Sequence, residues 1–540
     1  MKHFPAYEQH RRAIEAMRLP DSIPELLREA ESKFADAEAV SFFEDGRHLT
    51  FRQLAVDVRR LADGLSQLGV RSGSHVAVML SNCIEFPLTW LALAELGAVV
   101  TPVITGYSSR ELAFLIDDAD ISHIVIEATL LPVLEAIESK AGLAPGQVIV
   151  VGAQACGGLH RSFDELLRRG SPDFDAGHRP APDDLLSIQY TSGTTGLPKG
   201  VMLTHRFWIQ TGLAPVLVWR SLELRSVLSD HPFYYIDPQW MLVMSLYTGG
   251  RIDFCKRMSV RQFVDWMIER RSDLAWLPDP LLKSPPGPRD QEMPAKLLMA
   301  YGFSPAMLAE AESRYRVPVR EAYGMTEIGM GLLVPADIED DAIIGTCGLP
   351  GPWREFRIAN DEGGNAPDGQ PGELWVRGEG VCRGYYKRPQ ANEATFVDGW
   401  FRTGDLFVRD ERGYYRIVGR IKDMIKRSGE NISAAEVEQV LLELPDVVEA
   451  AVLPVPDADR DEEVKAYLVL REGVAIRDLP PQAVLSHCAS RLARFKRPRY
   501  LAYVDALPRT PSDKVAKHQL VAGEADLRLG AYDALDAVWR

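Results

Sequence analysis

The sequence predicts an α/β protein: a large N-terminal domain of helix-covered sheets that includes a β-rich subdomain, then a smaller C-terminal α+β domain. Three observations predict it. Helix and strand patterns alternate through the first half. Short segments cut by Gly, Asp and Pro turns fill residues 345–419. A self-contained helix-and-strand unit occupies residues 420–540.

In the first half, Leu54, Val58, Leu61, Leu65 and Leu68 recur at spacings of four and three, the apolar face of an amphipathic helix. HVAVML (75–80) reads as a buried strand. A helix from about Ile84 to Leu96 follows, then the apolar run AVVTPV. Helix ELAFLIDDA, strand HIVIE, helix LLPVLEAIESK and strand QVIVV continue the alternation, which implies parallel sheets covered by helices. Residues 170–186 read as a surface connection. Residues 277–294 carry six prolines and read as an irregular loop. EFRIA, GELWVRG and GYYRIVG are the short strands of the β-rich subdomain, so the N-terminal domain is expected to span 1–419. Beyond it come helix AAEVEQVLLEL, strands EAAVLPV and VKAYLVL, helix AVLSHCASRLAR and strand YLAYVDAL.

Composition narrows the function classes. The 540 residues exceed one ordinary core, and 46% hydrophobic with 25% charged residues is globular. A formal charge of −15 argues against non-specific nucleic-acid binding, although one local loop can still bind an anion. The six cysteines are scattered without a CxxC pair, which points away from structural zinc and disulfides and towards a reducing cytoplasm. The N-terminal residues have no signal-type apolar core, and no uncharged apolar run is long enough to span a membrane. Homodimerisation is compatible with the sequence.

The most informative segment is Tyr190-Thr-Ser-Gly-Thr-Thr-Gly-Leu-Pro-Lys-Gly200. Gly193 and Gly196 permit backbone conformations closed to other residues. The hydroxyls of Thr191, Ser192, Thr194 and Thr195, together with backbone N–H groups, can surround phosphate oxygens, and Lys199 adds positive charge. An ordinary Gly/Thr turn is usually only a polar turn, but this string is far more specific. It does not fit the G-x-x-x-x-G-K-[ST] loop, because Gly196 is three residues before Lys199 and Gly200 stands where Ser or Thr is needed.

TSGTTGLPKG resembles the phosphate-binding signature of the adenylate-forming superfamily, which includes acyl-CoA synthetases, peptide-synthetase adenylation domains and beetle luciferases. Four further segments resemble its signatures in the expected order: Tyr323-Gly-Met-Thr-Glu327, Gly399-Trp-Phe-Arg-Thr-Gly-Asp-Leu406, Gly419-Arg-Ile-Lys-Asp-Met-Ile-Lys-Arg-Ser-Gly429 and Leu507-Pro-Arg-Thr-Pro-Ser-Asp-Lys514. Each alone would pass for a surface turn; the ordered set covers roughly residues 30–525. The resemblance implies an ATP-dependent acid–thiol ligase acting on a small carboxylic acid, with ATP, Mg2+ and coenzyme A, and a C-terminal domain that moves.

The resemblance also implies roles. Thr191 to Gly196 and Lys199 would cradle the phosphates, Thr326 would contact the α-phosphate, and Glu327 with Thr191 would hold magnesium. Gly302, Phe303, Ser304, Glu321, Ala322, Tyr323 and Gly324 would surround adenine. Asp405, Ile417 and Arg420 would meet the ribose, where an acceptor-only carboxylate suits two hydroxyl donors. Lys422 would be the hinge, and Lys426, Ser428, Gly429 and Glu430 would face the pantetheine channel. Lys514 would be catalytic, its charge meeting carboxylate and α-phosphate together. Tyr235, Ile236, Trp240, Met241, Gly302 and Ile328 would line the acyl pocket, and those side chains predict an apolar acyl group, aromatic or medium-chain.

The chain departs from the pattern in places. Asp513 precedes the lysine where Gly is usual, Tyr235 stands where His is common, and Ala300-Tyr-Gly-Phe-Ser-Pro305 replaces a Gly-Gly-Ala-Pro-like segment. IKRSGENIS and ADRDEEVKAYLVL resemble the carnitine/crotonobetaine–CoA ligase branch, but they lie in the domain that does not touch the acyl chain. Two alternatives stay open: an adenylating enzyme that loads a carrier-protein thiol, and a non-catalytic ATP-binding homologue.

Overall fold

A computed structural model describes residues 4–137, 143–152, 160–191, 198–336, 338, 341–360, 362–428, 430–510, 514–522, 524 and 526–540. Two large sheets form the N-terminal domain. The first runs, by strand, through 161–162, 148–151, 123–127, 75–79, 99–102 and 185–191, all parallel, and ends on antiparallel 199–204. The second is nine-stranded, with the parallel strands 319–325, 297–300, 274–276, 226–229, 251–254 and 38–42 at its centre.

Three helices have no polar face: Glu85–Glu95, His205–Val218 and Ile236–Thr248 are buried over most or all of their circumference. An all-round apolar helix needs cover on every side, which an interior position between layers supplies. His205–Val218 and Ile236–Thr248 pack together, and a Cβ on Gly212 would come within 2.6 Å of Val243, so glycine sets that close approach. Thr204 caps the first of them by accepting from Phe207 N at 3.1 Å. The Trp90 and Trp208 rings meet edge-on at 5.6 Å, a geometry that contributes about 1 kcal/mol beyond area burial. By contrast Phe51–Gln67 is amphipathic, as its leucine spacing predicts, and buries only one face.

The β-rich subdomain is a five-stranded sheet built from Glu355–Ala359, Gly372–Arg377, Phe396–Val397, Trp400–Arg409 and Tyr415–Arg420. The predicted strand–turn punctuation appears there directly. The C-terminal unit is a seven-stranded sheet with helices Ala434–Leu442 and Pro481–Arg491 and its own core of Ile425, Val437, Leu441, Val452, Val464 and Leu501. Its central pair, Val447–Asp457 and Asp461–Leu470, is one long hairpin, longer than its sequence segments indicate. Two other details differ from expectation. The proline-rich stretch holds a short helix, Pro280–Lys283, because a proline in the first turn is pre-organised for helix. The helix expected over LLPVLEAIESK is described only as Leu131–Glu135. Among the described residues no helix is long and apolar enough to cross a membrane.

Candidate active site

Two antiparallel strands flank the segment expected to bind phosphate. Leu185–Thr191 and Lys199–Thr204 pair so that Thr191 stands opposite Lys199. Ser192, Gly193, Thr194, Thr195 and Gly196 lie outside the described residues, as do Gly429 and Asp513. The flanks are firmly held. Tyr190 donates to Asp118 at 2.6 Å, and Arg388 pairs with the same carboxylate at 2.7 Å. The segment 382–386 clips onto the second strand through Tyr386 N to Gly200 O, Arg383 N to Met202 O and Met202 N to Gly384 O.

That segment also supplies Tyr385, which no motif singled out. Its hydroxyl donates to Glu327 at 2.9 Å, and Lys199 Nζ stands 5.0 Å from the centroid of its ring. One side chain thus touches both the lysine expected on phosphate and the carboxylate expected on metal. Glu327 is buried, and burial pushes its pKa up against the pull of the Tyr385 hydroxyl. A bound cation would favour its ionised form, so the group suits a hard divalent ion. Among the described residues no cluster of three or more His, Cys, Asp or Glu forms a metal cage.

On the strand Val319–Met325, Glu321 accepts from Phe303 N at 2.7 Å, which ties down the turn 301–304. Burial drives its pKa up to about 7. Gly302 sits at φ +69 with open space where a Cβ would be, so a ligand can approach the backbone. The Phe303 ring, expected beside the base, is instead buried in the core cluster with Leu308, Ala311 and Tyr315. The exposed ring is Tyr301, which stacks on Trp276 at 3.9 Å. Ser304 spends its hydroxyl on capping the helix Pro305–Tyr315. Ala322 and Tyr323 are buried, and Gly324 pairs with Met330 across the hairpin. Thr326 lies partly buried beside Glu327.

The ribose residues form a network of their own. Asp405 is 2% exposed, accepts from Tyr323 OH at 2.6 Å and pairs with Arg420 Nε at 2.9 Å. Burial raises its pKa; Arg420 and Tyr323 oppose the rise. Arg420 stands opposite Asp405 across two paired strands, with Ile417 exposed on the same strand. Lys422 follows in the exposed turn Ile421–Asp423. Lys426 is exposed, Ser428 holds a left-handed φ of +52, and Glu430 pairs through its backbone with Arg427.

Lys514 arrives from the other domain, and its backbone O accepts from Thr510 N at 2.7 Å. Its side chain keeps solvent access but stands in a recess where burial, then Arg420, lowers its pKa. Asp237, Glu327 and Asp405 act on it in the opposite sense. Charged groups up to 277 positions apart in the chain therefore act on the ionisation of one lysine. Tyr235 occupies the N-cap position of the helix Ile236–Thr248, Trp240, Met241 and Ile328 are buried, and Asp237 lies in the first turn of that helix. Its Oδ1 accepts from Trp240 Nε1 at 3.0 Å. His231 pairs with Asp230 at 3.0 Å, and although burial acts against its charge, the two neighbouring aspartates lift its pKa to about 9. A further cleft of about 490 Å³, lined by Tyr107, Arg110, Phe114, Tyr190 and Pro198, opens beside the phosphate loop.

A family model described as AMP-binding enzyme matches residues 27–386, and one for the C-terminal domain of AMP-binding enzymes matches residues 436–514. The sulfoacetate–CoA ligase of Cupriavidus necator is 32% identical over 518 residues, covering 93% of this chain and 97% of that protein. The crotonobetaine/carnitine–CoA ligase of Salmonella typhi is 30% identical over 491 residues, covering 88% and 93%. Among solved structures, ATP-bound MatB from Rhodopseudomonas palustris superposes with a TM-score of 0.80 at 29% identity, covering 92% and 98%. The o-succinylbenzoate CoA synthetase of Bacillus subtilis, in complex with its acyl-adenylate intermediate, gives 0.81 at 26% identity, covering 94% and 100%.

Proposed function

Because the chain belongs to the family of AMP-binding enzymes, we propose that it is an ATP-dependent carboxylate–CoA ligase whose site works through the residues described above. The observation that carries this reading is Tyr385, whose hydroxyl donates to Glu327 at 2.9 Å while Lys199 Nζ stands 5.0 Å from its ring centroid, so that the lysine expected on phosphate and the carboxylate expected on metal converge.

In the first half-reaction the substrate carboxylate attacks the α-phosphorus of ATP, an acyl-phosphate bond forms, and pyrophosphate leaves. Lys514 opposes the negative charge that accumulates there, at a point where water is partly excluded and charge acts more strongly. Lys199 and the loop 191–196 hold the phosphates, and Asp405 accepts from the ribose hydroxyls. Glu327 and Thr191 would hold Mg2+, which offsets phosphate charge when bound. In the second half-reaction the coenzyme A thiolate attacks the acyl carbonyl carbon, the acyl–oxygen bond breaks, and AMP leaves. The C-terminal domain, 420–540, turns about Lys422 so that Lys514 withdraws and the face carrying Lys426, Ser428, Gly429 and Glu430 approaches. Enclosure protects the hydrolysable anhydride between the steps.

This reading includes a cytoplasmic setting, supported by five free cysteines among the described residues. Light scattering of the purified protein tests homodimerisation. The test of function is incubation with ATP, Mg2+, coenzyme A and a panel of acids. AMP and acyl-CoA should form together, and only when acid, ATP and coenzyme A are all present. Pyrophosphate exchange without acylation of coenzyme A would favour carrier-protein loading. ATP binding without exchange on any acid would favour the non-catalytic alternative.

A further inference from the structure

Between the strand Ser226–Ser229 and the helix Ile236–Thr248 runs a short segment that carries Tyr235 and belongs to neither element. Its backbone is met by side-chain amides at every turn. Gln239 Nε2 donates to Phe233 O at 3.0 Å and to Tyr235 O at 2.9 Å. Gln189 Nε2 donates to Tyr234 O, the carbonyl between them. Asn82 secures the other end: its Oδ1 accepts from Phe233 N at 2.7 Å, and its Nδ2 donates to His231 O at 3.1 Å and to Cys255 O at 2.9 Å.

All three amides are buried, with Gln239 fully so at 0% exposed. Burying an amide is costly unless its groups are bonded. The orientation of Gln239 is fixed by its neighbours, because turning the amide over would set Oε1 against two carbonyl oxygens. It keeps its donors there although Oε1 finds no partner among the described residues. A leucine would fill the space without an orphaned acceptor, so the donors are what the position requires. Gln189 Oε1 lies 3.4 Å from Gln239 Nε2, which ties the two amides to each other. Gln189 itself belongs to the strand Leu185–Thr191, two residues before Thr191 and opposite Val201. One side chain thus joins the strand that leads to the phosphate segment with the segment that carries Tyr235.

We propose that Gln189 is a positioning residue for the acid: with Gln239 it fixes the backbone of residues 233–235 from the phosphate strand, and so sets the Tyr234 and Tyr235 rings, which meet edge-on at 4.8 Å, for acid binding. The inference rests on the ligase reading, with Tyr235 lining the acyl pocket, and deepens it. Gln189 acts through the two tyrosines and not on the reacting atoms.

The test is Gln189→Leu in the full-length protein, which keeps the bulk and removes the amide. The KM for whichever acid of the panel is turned over fastest should rise roughly tenfold. The Kd for α,β-methylene-ATP with Mg2+, measured by calorimetry, should change by less than about threefold. A residue that merely supports the strand would weaken both alike. A second measurement needs no turnover. Hydrogen exchange read by mass spectrometry should quicken at residues 233–235 in the variant while 185–191 stays protected. Should Gln189→Leu fail to fold, Gln189→Met makes the same cut, and the wild type still decides: the amides of Phe233 and Tyr235, bonded to Asn82 and to Pro232 O, should exchange slowly. Equal weakening of acid and nucleotide, unchanged exchange at 233–235 in the variant, or fast exchange there in the wild type would overturn the proposal while leaving the ligase reading standing. If no acid supports pyrophosphate exchange, the ligase reading itself falls and the acid role of Gln189 falls with it.

Discussion

On the large-domain side of the recess three carboxylates are buried, and each is met by a fixed donor: Glu321 by Phe303 N, Glu327 by Tyr385 and Asp405 by Tyr323. On the small-domain side, Lys514 stands exposed with its backbone O accepting from Thr510 N, and among the described residues the domains touch through bonds such as Ser433 Oγ to Val418 O and Lys283 Nζ to Val448 O at 3.3 Å. The first arrangement is preorganised and costs nothing to reorder during reaction. The second can be delivered and withdrawn. A two-step reaction at one recess needs both, because the charge that serves adenylation would obstruct the thiol.

The comparison breaks most visibly at Lys514. Lys514→Ala should lower adenylation roughly a hundredfold or more, measured as pyrophosphate exchange, while thiolysis of supplied acyl-adenylate largely survives. Unimpaired adenylation would mean that the exposed side contributes no catalytic charge. Lys422→Pro should do the reverse. Proline locks φ at a position that has to change during rotation, so thiolysis should fall roughly tenfold or more with adenylation retained.

On the fixed side, Tyr385→Phe removes the hydrogen bond to Glu327 but keeps the ring under Lys199. The loss should be roughly tenfold, read as a higher Mg2+ requirement for ATP binding by calorimetry. Tyr385→Leu, which also removes the ring, should weaken ATP binding further at saturating Mg2+. Equal behaviour of the two variants would show that Tyr385 only fills space.

These contacts explain what the sequence reveals and what it hides. Lys199, Glu327, Asp405, Arg420 and Lys514 are legible because each lies in a short string with its own turn chemistry. Tyr385 is not, because its partner is 58 residues away and no periodicity links them; Tyr323 lies in such a string, but its bond to Asp405, 82 residues on, is not written there. The burial of Phe303 and the exposure of Tyr301 have a local cause. The chain leaves the strand Leu297–Ala300 and enters the helix Pro305–Tyr315 within a few residues, and the ring nearer the helix is drawn into that helix's core. Alternating strands and helices announce parallel sheets, but nothing local announces that 38–42 pairs with 251–254 in the second of them.

The smallest effect sharpens the fixed side through pH. Glu321 has its pKa raised from 4.5 to about 7, with burial the largest cause and the backbone N–H groups of Phe303 and Gly302 opposing it. The folded state therefore binds this proton more tightly than the unfolded chain does. The stability it adds is complete below the unfolded value and is lost as pH rises through about 7. Glu321→Gln cannot ionise, so its melting temperature should fall less than that of the wild type between the two pH values. The difference should be about 2 °C, measured by thermal unfolding at matched ionic strength. A wild-type curve that is flat across this range, or one that the variant reproduces, would mean that solvent reaches Glu321 and that the turn 301–304 is less firmly held than Asp405 and Glu327.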